Sequence, residues 1–225
     1  MTISLRRQPW SELVQCALLP LVRWRFHLVV RARTNLAALP APCIFAANHS
    51  SHLDSLAVLA ALPTAARQRT RIAAAEDYWY RSPARQAAAA VLNAFPFPRH
   101  GAIGLRRSAA LLAAGQSVLL YPAGTRDKDC TFRRGVGFLA TRTGCPVVPV
   151  AILGAEAIWP KGQPFPGRGR LTVVFGEPLV CAPDEPVDEA TARIAAAVAR
   201  LAERNGAEAL VQNYEFPRRS AAVPE

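Results

Sequence analysis

Apolar and polar positions along the chain follow two periods. Runs such as SVLLY and PVVPVAI are apolar at nearly every position, the pattern of strands covered on both faces. Between them lie Ala/Leu-rich stretches with the wider spacing of helices. The pattern predicts strands over 27–33, 43–47, 71–75, 117–121, 147–152 and 171–175, and helices over 11–21, 52–62, 83–93, 105–114, 136–142 and 189–204. Breakers punctuate them: the LPAP run at 39–42, Leu62-Pro63, Pro96 and Pro98, and the Pro/Gly-rich stretch 160–169. Alternation of this kind predicts an α/β domain, and no internal repeat is visible. The organisation expected is an N-terminal segment (1–30), a principal domain (31–212) and a C-terminal tail (213–225) that frays.

The N-terminal segment changes the picture. LVQCALLPLVRWRFHLVV is apolar, but Pro20, Arg23, Arg25 and His27 interrupt it. Its uninterrupted stretch is far short of the ~18–20 residues that a spanning helix requires, and no small-residue cleavage site follows it. Trp10 and Trp24, with Arg6, Arg7, Arg23 and Arg25, fit an amphipathic helix lying in a headgroup region. The structural alternative is an ordinary helix packed on the domain. Peripheral, monotopic attachment to the cytoplasmic face of a membrane is the expectation.

Composition agrees. Apolar residues are 51% of the 225, charged residues 19%, and the net charge is +11 with Lys128 and Lys161 the only lysines. Arginine-borne charge suits phosphate-bearing partners, whether lipid headgroups or nucleic acid. Nucleic-acid binding predicts aromatics interleaved with the arginines as stacking platforms. Here the aromatics fall mostly in apolar runs, so no nucleic-acid partner is expected. Five scattered cysteines without a C-x-x-C pair suggest neither a zinc ribbon nor a disulfide framework.

The chemistry concentrates in three stretches. In FAANHSSHLDSLAVL, an apolar strand gives way to a helix near His52. His49 on the intervening turn and Asp54 in the first helical turn can meet, leaving one imidazole nitrogen free as a base. Two other readings accompany this one. Ser51 and Asp54 resemble a capping box, so Asp54 can simply serve the helix N-terminus. His49 and His52 form an H-x-x-H pair, but with few further ligands in the chain no metal is expected. The second stretch, AFPFPRHGAIGLRRS, presents Arg99 from a loop rigidified by two prolines. In the third, SVLLYPAGTRDKDCTFRRGVGFLA, a buried strand delivers Gly124, Thr125 and Arg126 at its end, followed by Arg133 and Arg134 before a helix. Strand ends of α/β sheets and helix N-termini are where phosphates are held, and an arginine there grips one bidentately.

NHSSHLD, FPFPR, YPAGTR and VVPVAI, in that order, resemble the four sequence blocks of the glycerolipid acyltransferases of the lysophosphatidic acid acyltransferase type. The likeness spans roughly residues 31–179. It implies an α/β fold with a central mixed sheet flanked by helices, as in glycerol-3-phosphate acyltransferases, beside a small N-terminal helical element. It also implies that His49 deprotonates an acceptor hydroxyl with Asp54 orienting it, so that the hydroxyl attacks an acyl thioester carbonyl. Arg99, Gly124, Thr125 and Arg126 would bind the acceptor's phosphate, and Pro149 would support the acyl-donor side or the structure. His52 falls at an unassigned position of its block. No cofactor is implied, since acyl-CoA or acyl-carrier protein is a co-substrate, and membrane lipids are the other partners. The sequence carries no signal of oligomeric state. One position departs: the third block usually has glutamate where this chain has Ala123. That leaves lysophosphatidic acid the first expectation. The alternatives are the same chemistry on another lipid or glycolipid, or a catalytically impaired lipid-binding relative.

Overall fold

A computed structural model describes residues 9–32, 36–124, 131–160 and 162–206. The strands are β1 (Val29–Ala32), β2 (Ile44–Ala47), β3 (Thr70–Ala75), β4 (Ala94–Phe97), β5 (Ser117–Leu120), β6 (Val147–Leu153) and β7 (Thr172–Phe175). The helices are α1 (Pro9–Arg25), α2 (Leu53–Ala61), α3 (Thr64–Arg69), α4 (Glu76–Trp79), α5 (Pro83–Val91), α6 (Ile103–Ala113), α7 (Gly135–Thr143), α8 (Ala155–Ile158) and α9 (Val187–Glu203). The strands form one sheet in the order β1-β7-β6-β2-β5-β3-β4. From β6 to β4 all neighbours are parallel, β7 is antiparallel to β6, and β1 is parallel to β7. The sheet is therefore mixed, with β2 at its centre.

Side-chain alternation along the strands builds two cores. Phe45 and Ala47 of β2, Leu119 of β5, and Val148, Val150 and Ile152 of β6 face α1 and α2. Ile44 and Ala46, Val118 and Leu120, and Val147 face α6, α7 and α9. Both faces of β2, β5 and β6 are covered, which is why their sequences are apolar at every position.

Three features depart from the sequence expectations. The stretch expected as a proline-stiffened loop contains β4, and Ala74 of β3 stands opposite Pro96. β4 is an edge strand, where a proline's missing N–H takes nothing from the ladder. Helix α1 runs past Pro20 to Arg25 rather than stopping at residue 21. Proline costs it a backbone hydrogen bond, but Leu19 before it, with Val22 and Phe26 after it, are buried in the first core. Arg23 Nη1 also donates to the Ala60 carbonyl of α2 (2.8 Å), tying the helix end to the domain. Finally, the short helices α3, α4 and α8 occupy stretches that carried no helical expectation. Among the described residues no helix is long and apolar enough to cross a membrane.

Candidate active site

The C-terminal end of β2 is locked before any reactive group appears. Asn48 donates through Nδ2 to the Ile152 carbonyl (2.8 Å) and accepts from Ile152 N–H at Oδ1 (2.7 Å). This side chain, to which the sequence attached no role, continues the β2–β6 ladder by one residue and fixes where the next turn starts. The turn carries His49, and the first turn of α2 carries Asp54.

Asp54 is fully buried, and its Oδ2 gathers three donors: His49 Nδ1 at 2.8 Å, Ser50 N–H at 2.7 Å and Ser51 N–H at 2.9 Å. Ser51 Oγ reciprocates by accepting from Leu53 N–H (3.2 Å) and donates to the Trp159 carbonyl (2.8 Å). One oxygen of Asp54 thus makes the contacts that both the capping and the dyad expectations require. A carboxylate on Nδ1 makes that nitrogen the protonated one and leaves Nε2 with its lone pair.

Behind His49 lies Tyr121, just past β5, stacked on the imidazole with ring centres 4.2 Å apart and planes at 23°. Its hydroxyl is 2.8 Å from Ser55 Oγ on α2. Burial, reinforced by the nearby Asp54 charge, pushes the Tyr121 pKa well above its usual value despite the Ser55 contact, so the ring packs as a neutral phenol. The imidazole is held on its edge by Asp54 and on its face by Tyr121. His52 points elsewhere: it meets Tyr78 (6.0 Å, nearly parallel) and Trp159 (5.5 Å, tilted). The two histidines of the H-x-x-H pair therefore have different partners. Among the described residues no group of three or more His, Cys, Asp or Glu side chains is placed to hold a metal.

A cavity of about 680 Å³ opens in front of His49, running along β3 and β4 and past the C-terminal end of β5. One part is apolar, bounded by Ile72, Ala74, Leu92 and Ala94, while Arg99, His100 and Arg133 line a basic rim. Arg99 is on that rim as expected, but its Nε already donates to both oxygens of Asp77 (3.0 and 2.9 Å) in a pair open to solvent. Gly124 also lines the cavity. It closes a turn by donating its N–H to the Tyr121 carbonyl (2.8 Å) and has φ 73°, a conformation that glycine adopts at no steric cost. A side chain there would meet the Arg133 guanidinium at 3.4 Å. Arg133 is itself held by its N–H on the Pro122 carbonyl (3.1 Å). The sequence named Arg133 only as following the turn; its approach to Gly124 makes it part of the same rim.

Thr125 and Arg126 lie outside the described residues. Pro149 lies within β6, buried, and its carbonyl accepts from Gly176 N–H (2.9 Å) where β7 ends. That contact is structural. Ala123 is buried in the second core, beside Phe132 and Leu120, and does not line the cavity.

Comparison with known proteins adds three findings. The family model described as Acyltransferase matches residues 27–153. The chloroplastic 1-acyl-sn-glycerol-3-phosphate acyltransferase BAT2 of Brassica napus is 28% identical over 165 residues, which is 67% of this chain and 44% of the plant protein. The chloroplastic enzyme LPAT1 of Arabidopsis thaliana is 27% identical over 164 residues, again 44% of its length. This chain thus spans less than half the length of these curated relatives. The crystal structure of the 1-acyl-sn-glycerophosphate acyltransferase PlsC from Thermotoga maritima has the same fold, with a TM-score of 0.65 at 22% identity over 91% of this chain and 86% of that one.

Proposed function

The chain belongs to the acyltransferase family, and on that premise we propose that it moves a fatty acyl group from acyl-CoA or acyl-carrier protein to the free hydroxyl of lysophosphatidic acid. The observation that carries this reading is the His49–Asp54 pair, with Nδ1 occupied and the ring fixed against Tyr121 at the wall of the cavity. His49 Nε2 takes the acceptor's hydroxyl proton as the oxygen attacks the thioester carbonyl. The tetrahedral intermediate collapses, the C–S bond breaks, and the departing thiolate receives the proton from the imidazolium. One ester and one thiol result, and neither an acyl-enzyme, a metal nor an organic cofactor is called on. Asp54 stabilises the transient imidazolium and keeps the productive tautomer.

The cavity's two characters match the two parts of such a lipid. Its apolar walls suit an acyl chain, and Arg99, Gly124 and Arg133 on the rim, with Thr125 and Arg126 in the adjoining sequence, supply the phosphate subsite. The amphipathic α1, with Trp10, Leu13, Leu21 and Trp24 exposed, supports peripheral attachment to the cytoplasmic face of a membrane, where the acceptor resides. A second reading keeps the chemistry and changes the acceptor. Asp77 already claims Arg99, so a lipid or glycolipid hydroxyl with a less anionic headgroup also fits.

The deciding assay incubates the purified chain with each donor and a panel of hydroxylated lipids, and identifies products by mass spectrometry. Acylated product from lysophosphatidic acid above all other acceptors is expected. Product from another acceptor alone would sink the substrate assignment, and none from any acceptor would sink the reaction.

A further inference from the structure

The stretch between α8 and β7 presents one large side chain to solvent. Phe165 is 82% exposed, the highest value among the exposed large apolar residues. It stands between Pro164 and Pro166. Each proline fixes its own φ and restricts the residue before it to extended backbone, so Phe165 is held out with little freedom to fold back. The base of the loop is anchored. Gly167 N–H donates to the Ile158 carbonyl (2.7 Å), and Trp159 Nε1–H donates to the Gln163 carbonyl (2.8 Å). Trp159 in turn accepts from Ser51 Oγ in the His49 turn and packs on His52, a wall of the cavity. A scattered exposed apolar residue is ordinary. A stiffened one braced against the turn that carries the base is a presented group.

The same end of the molecule carries the end of α1. Leu171 N–H donates to the Phe26 carbonyl (2.9 Å) and Val29 N–H to the Leu171 carbonyl (2.8 Å), so the loop's exit lies against the helix's exit. There Trp24 is 73% exposed and Leu21 is also exposed. The charge along both stretches is of one sign. Arg168 and Arg170 are exposed and make no ion pair among the described residues, and Arg23 and Arg25 close α1. No carboxylate occurs between Glu12 and Asp54 or between Glu156 and Glu177.

We propose that the loop 162–170 is a second lipid-contacting element, in which Phe165 enters the interface of an anionic bilayer and Arg168 and Arg170 engage its phosphates. This rests on the reading that the protein works at a membrane, and it goes beyond it. One amphipathic helix allows the domain to roll about the helix axis. A second contact, braced on the His49 turn, removes that freedom and holds the reactive end of the sheet towards the lipid.

The test is co-sedimentation of the full chain with vesicles of phosphatidylglycerol and phosphatidylcholine, and with phosphatidylcholine alone. Phe165→Ser lowers partition about tenfold. Arg168→Ser with Arg170→Ser lowers it by about fivefold per arginine, on the anionic vesicles only and less in high salt. Val180→Ser, at an exposed apolar residue next to the Leu179–Val147 bridge at the sheet's opposite end, leaves partition unchanged. Thermal midpoints of all variants match the parent. Parental partition of the loop variants alongside a loss in Trp24→Ser overturns the inference and leaves membrane attachment standing. Failure of the parent to bind vesicles overturns both. A loss in Val180→Ser equal to that in Phe165→Ser makes the effect non-local and overturns the inference. So does unchanged partition with a raised KM for acyl-carrier protein, which makes the loop a protein-docking face.

Discussion

At residue 54, one carboxylate oxygen holds the His49 ring and the turn that opens a helix, and substitution separates the two tasks. His49→Ala and Asp54→Ala are each expected to lower kcat by about 10²–10⁴-fold, the usual worth of general-base assistance. Asp54→Ala is also expected to lower the unfolding free energy by about 0.5–2 kcal/mol through loss of its cap-like contacts, which His49→Ala leaves in place. His52→Ala, which removes the ring contacts to Tyr78 and Trp159 at the cavity wall, should retain most activity. Steady-state rates and denaturant melts on the three variants check this, and a His52→Ala more damaging than His49→Ala would reverse the assignment. Cys43 gives a pH prediction. Burial pushes its thiol from the usual 9.0 up to about 11, outweighing the Ser117 hydroxyl 3.5 Å away. Below pH 9 the thiol is neutral in both states and its contribution to stability is complete. Between about pH 9 and 11 the unfolded chain ionises first, so stability falls as pH rises, by on the order of 2 kcal/mol. Thermal melts across that window should show a steeper decline for the parent than for Cys43→Ala.

Among the elements, α7 and α9 pack closely enough to demand a glycine between them. A side chain on Gly137 would approach Thr191 Oγ1, the Val187 carbonyl at 2.5 Å and the Thr191 amide nitrogen at 2.9 Å, so backbone as well as side chain would have to move. Gly137→Ala therefore trades a small gain in helix propensity for overpacking, with an expected net loss of about 1–3 kcal/mol measured by chemical denaturation. A melt equal to the parent's would mean that the two helices separate at little cost. The consequence reaches the cavity, because α7 begins at Gly135, two residues after Arg133 on its rim. Edge strand β4 has a comparable role: it ends at Phe97, so that Pro98 and Arg99 emerge onto the same rim.

For the whole molecule, the cavity opens at one end of the sheet, and the exposed Leu21 and Trp24 near the end of α1 and the exposed Phe165, Arg168 and Arg170 of the loop 162–170 lie at that end too. Attachment through an interfacial helix and arginines, with no helix among the described residues able to span, predicts binding that salt weakens and alkaline carbonate strips. Fractionation of membranes from cells making the chain should therefore release it under both treatments. Retention through carbonate would show that the N-terminal region is embedded more deeply than an interfacial helix. The net charge of +11 acts at the same scale, steering the molecule towards anionic surfaces before any specific contact forms.

The sequence alone determined what local spacing can determine. His49 and Asp54 meet because a strand, a turn and a first helical turn lie within six residues, and the apolar runs of β2, β5 and β6 announce strands buried on both faces. Tertiary structure decided everything that depends on which segments become neighbours. AFPF reads as a loop until the sheet order makes it an edge, where proline costs no ladder bond. Tyr121 is seventy-two residues beyond His49 and becomes its stacking partner only because β5 lies beside β2. Arg133 joins the rim through its approach to Gly124, and Arg99 arrives there already paired with Asp77. Ala123 reads as a gap in a phosphate site but packs into the second core. In each case the deciding contact is long-range, and a residue's neighbours along the chain carry no record of which distant side chain will cover it.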